Sequence, residues 1–237
     1  MNRTPIIALD FPDKKKTEDF LGFFQGKKLS VKVGMELYYK EGAPLIDWLK
    51  EQGHDVFLDL KLHDIPNTVY SAMKILAQAG ADMVNVHASG GTEMMREALR
   101  GLEEGTPAGK NRPLLIAVTQ LTSTDEEQMQ NEQLIDRKLK ESVLHYARLA
   151  HRAGLDGVVC SAHEASAIEE ATSPQFLRVT PGIRLSGQML HDQKRVVNPS
   201  RARRIGSSMI VIGRPVTQSE DPVWAYNQVV EEWEMET

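Results

Sequence analysis

The amino-acid sequence predicts an α/β protein with the (β/α)8 fold, the TIM barrel. Eight short apolar runs rich in β-branched residues alternate with longer amphipathic segments, a pattern typical of parallel strands joined by crossover helices. The runs are spread over 237 residues, about 30 residues per unit, which matches the repeat length of a (β/α)8 barrel. A doubly wound open sheet is the alternative that this pattern leaves open.

The eight runs follow one another at similar intervals along the chain. Each has the apolar, β-branched composition of a buried strand, and several end in a polar residue. We expect each run to form one barrel strand. In chain order they are PIIALDF near residue 5, LSVKVGM near 29, DVFLDLKL near 55, DMVNVHA near 82, PLLIAVTQL near 113, DGVVCS near 156, FLRVTPGI near 176 and MIVIGRP near 209.

Helix signals recur between the runs, and the segment after Pro66 is an example. Val69, Ala72, Met73 and Leu76 fall at i, i+3, i+4 and i+7, and Gly80 closes the segment, so we expect a helix that packs on the sheet. The sequence contains no Pro/Ser-rich linker and no low-complexity tract. We therefore expect a single catalytic barrel domain over residues 1–237.

Composition and charge argue for a small-molecule ligand. The net charge is −5, and the 28 Lys and Arg residues are spread along the chain, which argues against nucleic acid or a membrane as a partner. Cys160 is the only cysteine, which excludes an internal disulfide and fits a reducing compartment. No apolar run has the length of a signal peptide or a spanning helix, so we expect a cytoplasmic protein.

Polar side chains are concentrated at the carboxyl ends of the predicted strands. In a (β/α)8 barrel these ends and the loops that follow them build the active site. The concentration is therefore the main functional signal in the sequence. The residues are Asp10, Lys32, Asp59, Lys61, His87, Thr122, Cys160, Ser161 and Arg214.

The third run carries the densest group of charges. Asp59 and Lys61 are two residues apart, so on a regular strand they would point to the same face, roughly 6.5 Å apart along the chain. Lys32 and Asp64 would extend them to an alternating array of Lys, Asp, Lys and Asp. An ion pair that only specifies packing is the alternative, but buried ions are costly and are usually retained for function.

A second group of residues suggests a phosphate site. Gly213 and Arg214 lie in the last part of the eighth run, just past the predicted strand, where barrels commonly bind phosphate through backbone N–H groups and cationic side chains. Arg184 and Gln193 lie in the long loop after the seventh run, which suits a lid over an anionic ligand. An ordinary turn and an exposed loop are the alternatives for these two segments.

Three histidines outside these groups have a simpler interpretation. His54, His145 and His151 lie in helical or turn context, and we expect them at the surface. No HExxH motif and no clustered His/Cys spacing indicates a zinc site.

Six motifs extend this interpretation to a known family. ALD, KVGMELYY, DLKLHDIPNT, VTQLTS, TPGIR and GRPVT occur in this order along the chain. In their order and approximate spacing they resemble the bacterial-type orotidine 5′-monophosphate decarboxylases, and DLKLHDIPNT is the most specific. The resemblance covers the whole chain and implies a (β/α)8 barrel that converts orotidine 5′-monophosphate to uridine 5′-monophosphate and CO2 in pyrimidine biosynthesis, with no metal or organic cofactor.

The resemblance also implies roles for the charged residues. Lys61 would stabilise the carbanion at C6 of the pyrimidine and then protonate it. Asp59 and Asp64 would flank Lys61, with Asp64 supplied by the other subunit of a homodimer with shared active sites. Lys32 and Asp10 would contact the ribose.

The remaining positions are implied to bind other parts of the substrate. Thr122 would lie near the pyrimidine, and Ile65 and Thr68 would lie around the shared part of the site. The phosphate contacts would be Arg184, Gln193, Gly213 and Arg214.

Two other functions remain possible on the sequence. A related phosphosugar decarboxylase would share the Asp-x-Lys-x-x-Asp pattern but use magnesium, and a barrel without catalytic activity could only bind a phosphate ligand. The motifs HDIPNT and TPGIR favour the nucleotide enzyme over the first, and an intact Lys61 between two carboxylates argues against the second.

Overall fold

The strands of the protein close into a parallel barrel. The structure is a computed structural model that describes residues 4–185 and 197–235. Each strand pairs in parallel with the next one in sequence, and β8 pairs with β1. This closure confirms the predicted (β/α)8 barrel and excludes the doubly wound sheet, which has open edges. The strands are β1 (Ile6–Ala8), β2 (Ser30–Gly34), β3 (Asp55–Leu62), β4 (Met83–His87), β5 (Leu114–Val118), β6 (Gly157–Val159), β7 (Leu177–Thr180) and β8 (Met209–Ile212).

Helices occupy the segments between the strands. Several begin with an aspartate or asparagine whose side chain accepts a backbone N–H of the first turn, as Asp13, Asp125 and Asp221 do. The helices are α1 (Lys14–Leu21), α2 (Met35–Glu41), α3 (Ala43–Glu51), α4 (Pro66–Gln78), α5 (Gly91–Gly105), α6 (Glu126–Asn131), α7 (Leu139–Arg152), α8 (Ala165–Ala171), α9 (Pro199–Arg204), α10 (Arg214–Thr217) and α11 (Pro222–Glu234).

The helix expected after Pro66 is present as α4. It starts with Pro66 in its first turn, where proline lacks only an N–H that has no helical partner, and it buries Val69, Met73 and Leu76. Gly80 follows the helix with φ +78°, a conformation that favours glycine. The period of the apolar residues therefore predicted both the helix and its buried face.

The barrel has two apolar layers. The inner layer fills the barrel and comes from alternate strand residues, among them Ala8, Phe57 and Met83. The larger outer layer lies between the strands and the helices and contains their neighbours, such as Leu58 and Val84. This alternation assigns each strand residue to the interior or to the helices, as expected for a period of two.

Helices α4 and α5 approach each other unusually closely. A Cβ placed on Gly101 would lie 2.3 Å from the carbonyl oxygen of Tyr70, and one placed on Gly105 would lie 2.4 Å from that of Lys74. Only glycine fits at these two positions, because a contact under 3.0 Å between a Cβ and a backbone atom is repulsive. The two glycines thereby set how near α5 lies to α4, the helix that follows Asp64.

The pairing of β3 with β4 contains an irregularity. Leu58 pairs with Val84 and Leu62 pairs with Val86, so four steps along β3 span two steps along β4. Lys61 lies in this interval with φ +53°, in the left-handed region. Such a bulge re-aims side chains next to active sites.

No helix in residues 4–185 and 197–235 is long and apolar enough to cross a membrane.

Candidate active site

The charged residues of the first three strands converge at the carboxyl end of the barrel. Lys32 lies within β2, Asp59 and Lys61 lie near the end of β3, and Asp10 lies two residues beyond the end of β1. Asp59 is two residues after Phe57, which belongs to the inner layer. Because side chains alternate along a strand, Asp59 lies on the same interior face as Phe57, at the polar carboxyl end of the barrel.

Four of these side chains form a continuous charged row. Lys32 Nζ lies 3.2 Å from Asp10 Oδ1 and 3.3 Å from Asp59 Oδ2. Lys61 Nζ lies 2.7 Å from Asp59 Oδ1. Asp59 therefore lies between two ammonium groups. The order of the charged row is Asp10, Lys32, Asp59 and Lys61.

Two opposing effects act on the pKa of Asp59. Burial raises the pKa, because the side chain is only 13% exposed. The charges of Lys32 and Lys61, with hydrogen bonds from Lys61 and Asn85, lower the pKa by more, so it lies below its ordinary value. Asp59 is therefore a carboxylate at neutral pH, and it holds both ammonium groups in place.

The predicted geometry of β3 was only partly right. Asp59 and Lys61 do meet, but the strand is not regular between them, because Lys61 has a left-handed backbone and the register with β4 shifts there. Spacing along the sequence cannot predict such a bulge. The ammonium group of Lys61 is thus aimed by an irregular backbone rather than by simple alternation.

Asn85 is a site residue that the sequence interpretation missed. It lies in the middle of β4 and is 1% exposed. Its Nδ2 donates a 2.7 Å hydrogen bond to Asp59 Oδ1, and its Oδ1 accepts one of 2.7 Å from the backbone N–H of Lys61. The sequence did contain a signal for this position. Asn85 is two residues from both Met83 and His87, so on a strand it shares their interior face.

His63 and His87 lie beside one another at the edge of the charged row. Their ring centroids are 5.8 Å apart. Burial lowers the pKa of His87, and the charges of His63 and Lys61 lower it further. His87 is therefore neutral at neutral pH, and it forms part of the polar surroundings of Lys61.

Asp64 does not join the charged row within this chain. Its side chain is exposed, and Oδ1 accepts a 2.6 Å hydrogen bond from the backbone N–H of Ile65. In the described part of the chain, Asp64 makes no ion pair with Lys61. The predicted array of Lys32, Asp59, Lys61 and Asp64 is therefore incomplete in a single chain, with Asp10 at its other end.

Ile65 and Thr68, the other residues expected around this part of the site, are also exposed. Ile65 immediately precedes α4, and Thr68 lies in its first turn. Thr122, expected near the pyrimidine, is exposed in the turn after β5. All three follow the carboxyl ends of strands, as the sequence interpretation required.

Two guanidinium groups follow β7 and β8, the strands that close the barrel next to β1. Arg214 follows Gly213 at the end of β8, and Arg184 lies after β7. Burial lowers the pKa of Arg184, and the charge of Arg214 lowers it further. Neither guanidinium makes an ion pair among the residues that the structure describes. A pair of cations that repel each other is suited to an anion.

Gly213 leaves room beside the charged row. A Cβ on Gly213 would lie 3.8 Å from Asp10 Oδ2, and one on Gly34 would lie 3.5 Å from Lys32 Nζ. Glycine at these two positions adds no side chain beside Asp10 and Lys32, where a Cβ would make ordinary van der Waals contacts. Gln193, the fourth residue expected at the phosphate, lies outside the described residues.

The candidate site has few ligands to offer a metal ion. Within residues 4–185 and 197–235, no group of three or more His, Cys, Asp or Glu side chains is arranged to hold one. The two carboxylates of the charged row are both paired with ammonium groups. A divalent cation at Asp59 would have to compete with Lys32 and Lys61.

Comparisons with known proteins agree with this geometry. The model of the orotidine 5'-phosphate decarboxylase / HUMPS family matches residues 3–229. The orotidine 5'-phosphate decarboxylase of Lysinibacillus sphaericus is 64% identical over 234 residues, which cover 99% of this chain and all of that protein. The enzyme of the same name from Listeria monocytogenes is 60% identical over 233 residues, which cover 98% of this chain and 99% of that protein.

Solved structures are similar over nearly the whole chain. The orotidine 5'-phosphate decarboxylase of Lactobacillus acidophilus superposes with a TM-score of 0.89 at 42% identity and covers 99% of this chain and all of its own. An uncharacterized conserved protein from Geobacillus kaustophilus superposes with a TM-score of 0.88 at 55% identity, over 97% of this chain and 99% of its own. Together with the match of the family model, these similarities show that the chain belongs to the orotidine 5'-phosphate decarboxylase / HUMPS family.

Proposed function

We propose that this protein is an orotidine 5′-phosphate decarboxylase, a carboxy-lyase of pyrimidine biosynthesis that converts orotidine 5′-monophosphate to uridine 5′-monophosphate and CO2. The observation that carries the proposal is the charged row, in which Lys61 Nζ lies 2.7 Å from Asp59 Oδ1 at the open end of the barrel. The relatives named above support the choice of reaction, since they match this chain from end to end. We assign the whole chain, residues 1–237, to one catalytic domain.

The chemistry requires a fixed cation beside the pyrimidine. When the bond between C6 and the carboxylate breaks, CO2 leaves and the electron pair stays on C6 in the plane of the ring, where the π-system cannot delocalise it. The ammonium group of Lys61 stabilises this charge and then transfers a proton from Nζ to C6, which yields uridine 5′-monophosphate. The neutral amine regains its proton from solvent.

The other residues of the charged row hold and orient the reacting groups. Asp59 fixes Lys61 through its short ion pair, and Lys32 fixes Asp59 from the other side. Lys32 and Asp10 also offer polar atoms to the ribose at the mouth of the barrel. Because the ions are paired before substrate arrives, little reorganisation is needed during the reaction.

The phosphate is assigned to the two guanidinium groups after β7 and β8. Arg214 and Arg184 are close enough to repel one another, and an anion between them would relieve that repulsion. Gly213 allows the backbone to approach the phosphate, and Gln193 completes this group in our proposal. Binding energy from this remote group positions the ring over Lys61.

We further propose a homodimer with shared active sites. Within residues 4–185 and 197–235, Asp64 is exposed and its hydrogen bond is with the neighbouring Ile65, although the pattern of charges calls for a second carboxylate beside Lys61. Several large apolar side chains are also exposed after strands β2, β3 and β5. They are Met35, Tyr39, Ile65 and Leu121. A second copy would bury them and bring its own Asp64, with Ile65 and Thr68, to the neighbouring Lys61.

The cytoplasm is the compartment that we propose. The support is the single cysteine, Cys160, which has no partner for an internal disulfide and is fully buried.

Loss of orotidine 5′-monophosphate absorbance tests the proposed reaction. We expect turnover of orotidine 5′-monophosphate that is unchanged when a chelator is present. A magnesium-dependent phosphosugar decarboxylase is the second candidate, because it would share the Asp-x-Lys-x-x-Asp pattern of Asp59, Lys61 and Asp64. No turnover of the nucleotide, together with chelator-sensitive turnover of a sugar phosphate, would favour that enzyme. No turnover of either substrate would leave a phosphate-binding barrel.

A further inference from the structure

Asn85 is a buried polar side chain in the interior of the barrel. It lies at the centre of β4 on the face of Met83, which belongs to the inner layer, and it is 1% exposed. A buried amide is costly unless its donor and acceptor are both satisfied. The partners of Asn85 therefore explain why an asparagine is tolerated at this position.

The partners of the amide are two parts of the same catalytic strand. Its Nδ2 donates to Asp59 Oδ1 over 2.7 Å, and its Oδ1 accepts the backbone N–H of Lys61 over 2.7 Å. The orientation of the amide follows from chemistry, because a carboxylate only accepts and a backbone N–H only donates. Asn85 thus bridges the carboxylate of Asp59 and the backbone of Lys61 across the strand boundary.

The bridge lies at an unfavourable backbone conformation. Lys61 has φ +53°, a region that residues other than glycine rarely occupy, and β3 is out of register with β4 between Leu58 and Leu62. Such a conformation persists only where the surrounding structure holds it. The hydrogen bond to the N–H of Lys61 acts directly on this residue.

We propose that Asn85 is a positioning residue for the decarboxylation, holding the backbone of Lys61 and the carboxylate of Asp59 in the one geometry that presents the ammonium group to C6. It acts through these two residues and makes no contact with substrate. The inference rests on the role proposed for Lys61. It implies that Asn85 affects the chemical step more than binding, because the phosphate group is assigned to Arg184 and Arg214, which follow β7 and β8.

Two substitutions separate positioning from folding. Asn85→Leu keeps the number and branching of the side-chain heavy atoms and removes both hydrogen bonds. Asn85→Asp keeps the acceptor for the N–H of Lys61 but replaces the donor to Asp59 by a second carboxyl group. Thr180→Val is the matched control. Thr180 lies on the outer face of β7, and the change also removes a buried hydrogen bond, the one of 2.8 Å between Thr180 and Ser207.

The measurements are kcat for orotidine 5′-monophosphate, the Kd of uridine 5′-monophosphate and the melting temperature. For Asn85→Leu we expect kcat to fall about a hundredfold. A loss of this size is expected when a catalytic group is displaced by about 1 Å. The Kd of uridine 5′-monophosphate should change less than about threefold, since that product is bound through its phosphate and ribose. Thr180→Val should lower the melting temperature and leave kcat unchanged.

A folded Asn85→Leu enzyme with kcat within about threefold of the parent overturns the proposal. Equal losses in kcat and in product affinity overturn it as well, because they indicate general damage to the barrel. If Asn85→Leu does not fold, Asn85→Asp decides, with a large loss of kcat at retained product affinity expected and near-parental kcat overturning the proposal. Failure of the parent to turn over orotidine 5′-monophosphate would instead reject the proposed function.

Discussion

Lys61 has three neighbours that restrain it from different directions. Asp59 holds its ammonium group, Asn85 holds its backbone, and the neutral ring of His87 lies nearby. Among the residues that the structure describes, the Lys61 side chain stays 26% exposed. A cation restrained in this way loses little freedom when substrate binds, which is the condition for electrostatic catalysis without reorganisation.

Replacing Lys61 tests the assignment of the chemistry. Lys61→Ala removes both the cation and the proton donor, so we expect kcat to fall by at least about a thousandfold. Circular dichroism should show an intact fold. Lys140→Ala, on the exposed face of α7, serves as the control and should retain parental turnover. A well-folded Lys61→Ala enzyme with near-normal kcat would refute the role of Lys61.

Replacing Arg214 tests the assignment of the phosphate. Arg214→Ala should weaken binding of orotidine 5′-monophosphate by about 2–3 kcal/mol, the size of a charge-assisted contact. It should have little effect on orotidine, which lacks the phosphate. Arg204→Ala, an exposed arginine of α9, is the control for loss of positive charge. Equal effects of Arg214→Ala on both substrates would show that Arg214 does not bind the phosphate.

His54 is a residue whose environment was predicted wrongly. It follows a turn and directly precedes β3, but it is 5% exposed and its Nδ1 accepts the backbone N–H of Leu29 over 3.2 Å. Burial lowers its pKa, and the charge of Lys50 lowers it further, while Asp55 raises it less. The folded protein therefore favours the neutral ring.

This shift predicts a dependence of stability on pH. The folded-state pKa of His54 is below its ordinary value of 6.5, so its contribution to stability is complete above that pH and is lost as pH falls through the lower value. We expect the free energy of unfolding to decline below about pH 6.5. His54→Asn keeps an acceptor for Leu29 and should flatten the decline, whereas His145→Asn, an exposed control, should not. Parallel declines in the parent and His54→Asn would contradict the assignment.

Other residues show which site positions a sequence can reveal. Asp10, Lys32, Asp59 and Lys61 were predictable because charges at the ends of apolar runs are conspicuous. Asn85 could not be predicted as a site residue, because a single uncharged polar residue inside an apolar strand gives no sign of its partners. Its importance depends on the bulge in β3, which arises from tertiary packing.

At the scale of elements, strand β3 combines a regular and an irregular half. Its first residues pair in order with β2 and β4, and Phe57 and Leu58 alternate between the two apolar layers. Its last residues bulge and carry Asp59 and Lys61, the side chains to which we assign the chemistry. The regular half was predictable from its period, as were the other seven strands. The bulge was not, since a period of two continues through Asp59 and Lys61 in the sequence.

The close approach of α4 and α5 gives a prediction for stability. Gly101→Ala places a Cβ 2.3 Å from the Tyr70 carbonyl oxygen, so the helices must separate, and we expect a loss of about 1–3 kcal/mol. Gly22→Ala is the matched control, because its φ is −57° and nothing lies within 4 Å of the added Cβ. That change should be neutral or stabilise the protein by up to about 1 kcal/mol.

Chemical denaturation measures both variants. A Gly101→Ala protein as stable as Gly22→Ala would show that α5 moves away from α4 without loss. Because α4 begins just after Asp64 and carries Thr68, a separation of the helices should also be visible in the activity of Gly101→Ala.

At the scale of the whole molecule, the local pattern did not distinguish a closed barrel from an open sheet. Both contain parallel strands joined by helices, and the pairing of β8 with β1 joins residues from opposite ends of the chain. The count of eight units was the useful signal, since eight strands suit closure.

The proposed dimer is tested by mixing two inactive proteins. In a heterodimer of Lys61→Ala and Asp64→Ala with shared sites, one site carries both lesions and the other carries neither. Random exchange of subunits should therefore restore about a quarter of parental activity by two-fold symmetry. Mass spectrometry confirms that heterodimers form. Heterodimers without restored activity would show that Asp64 serves its own chain.

The pairing of β1 with β8 also has a consequence for the order of synthesis. The ribosome makes Asp10, Lys32, Asp59 and Lys61 early, but the strand that precedes Arg214 emerges late and must return to β1. The hydroxyl of Tyr226 on α11 then donates to the carbonyl of Pro5, beside the start of β1. A nascent chain thus carries Lys61 before it carries Arg214, so under the proposed assignment we expect nucleotide binding to begin only when the ring closes.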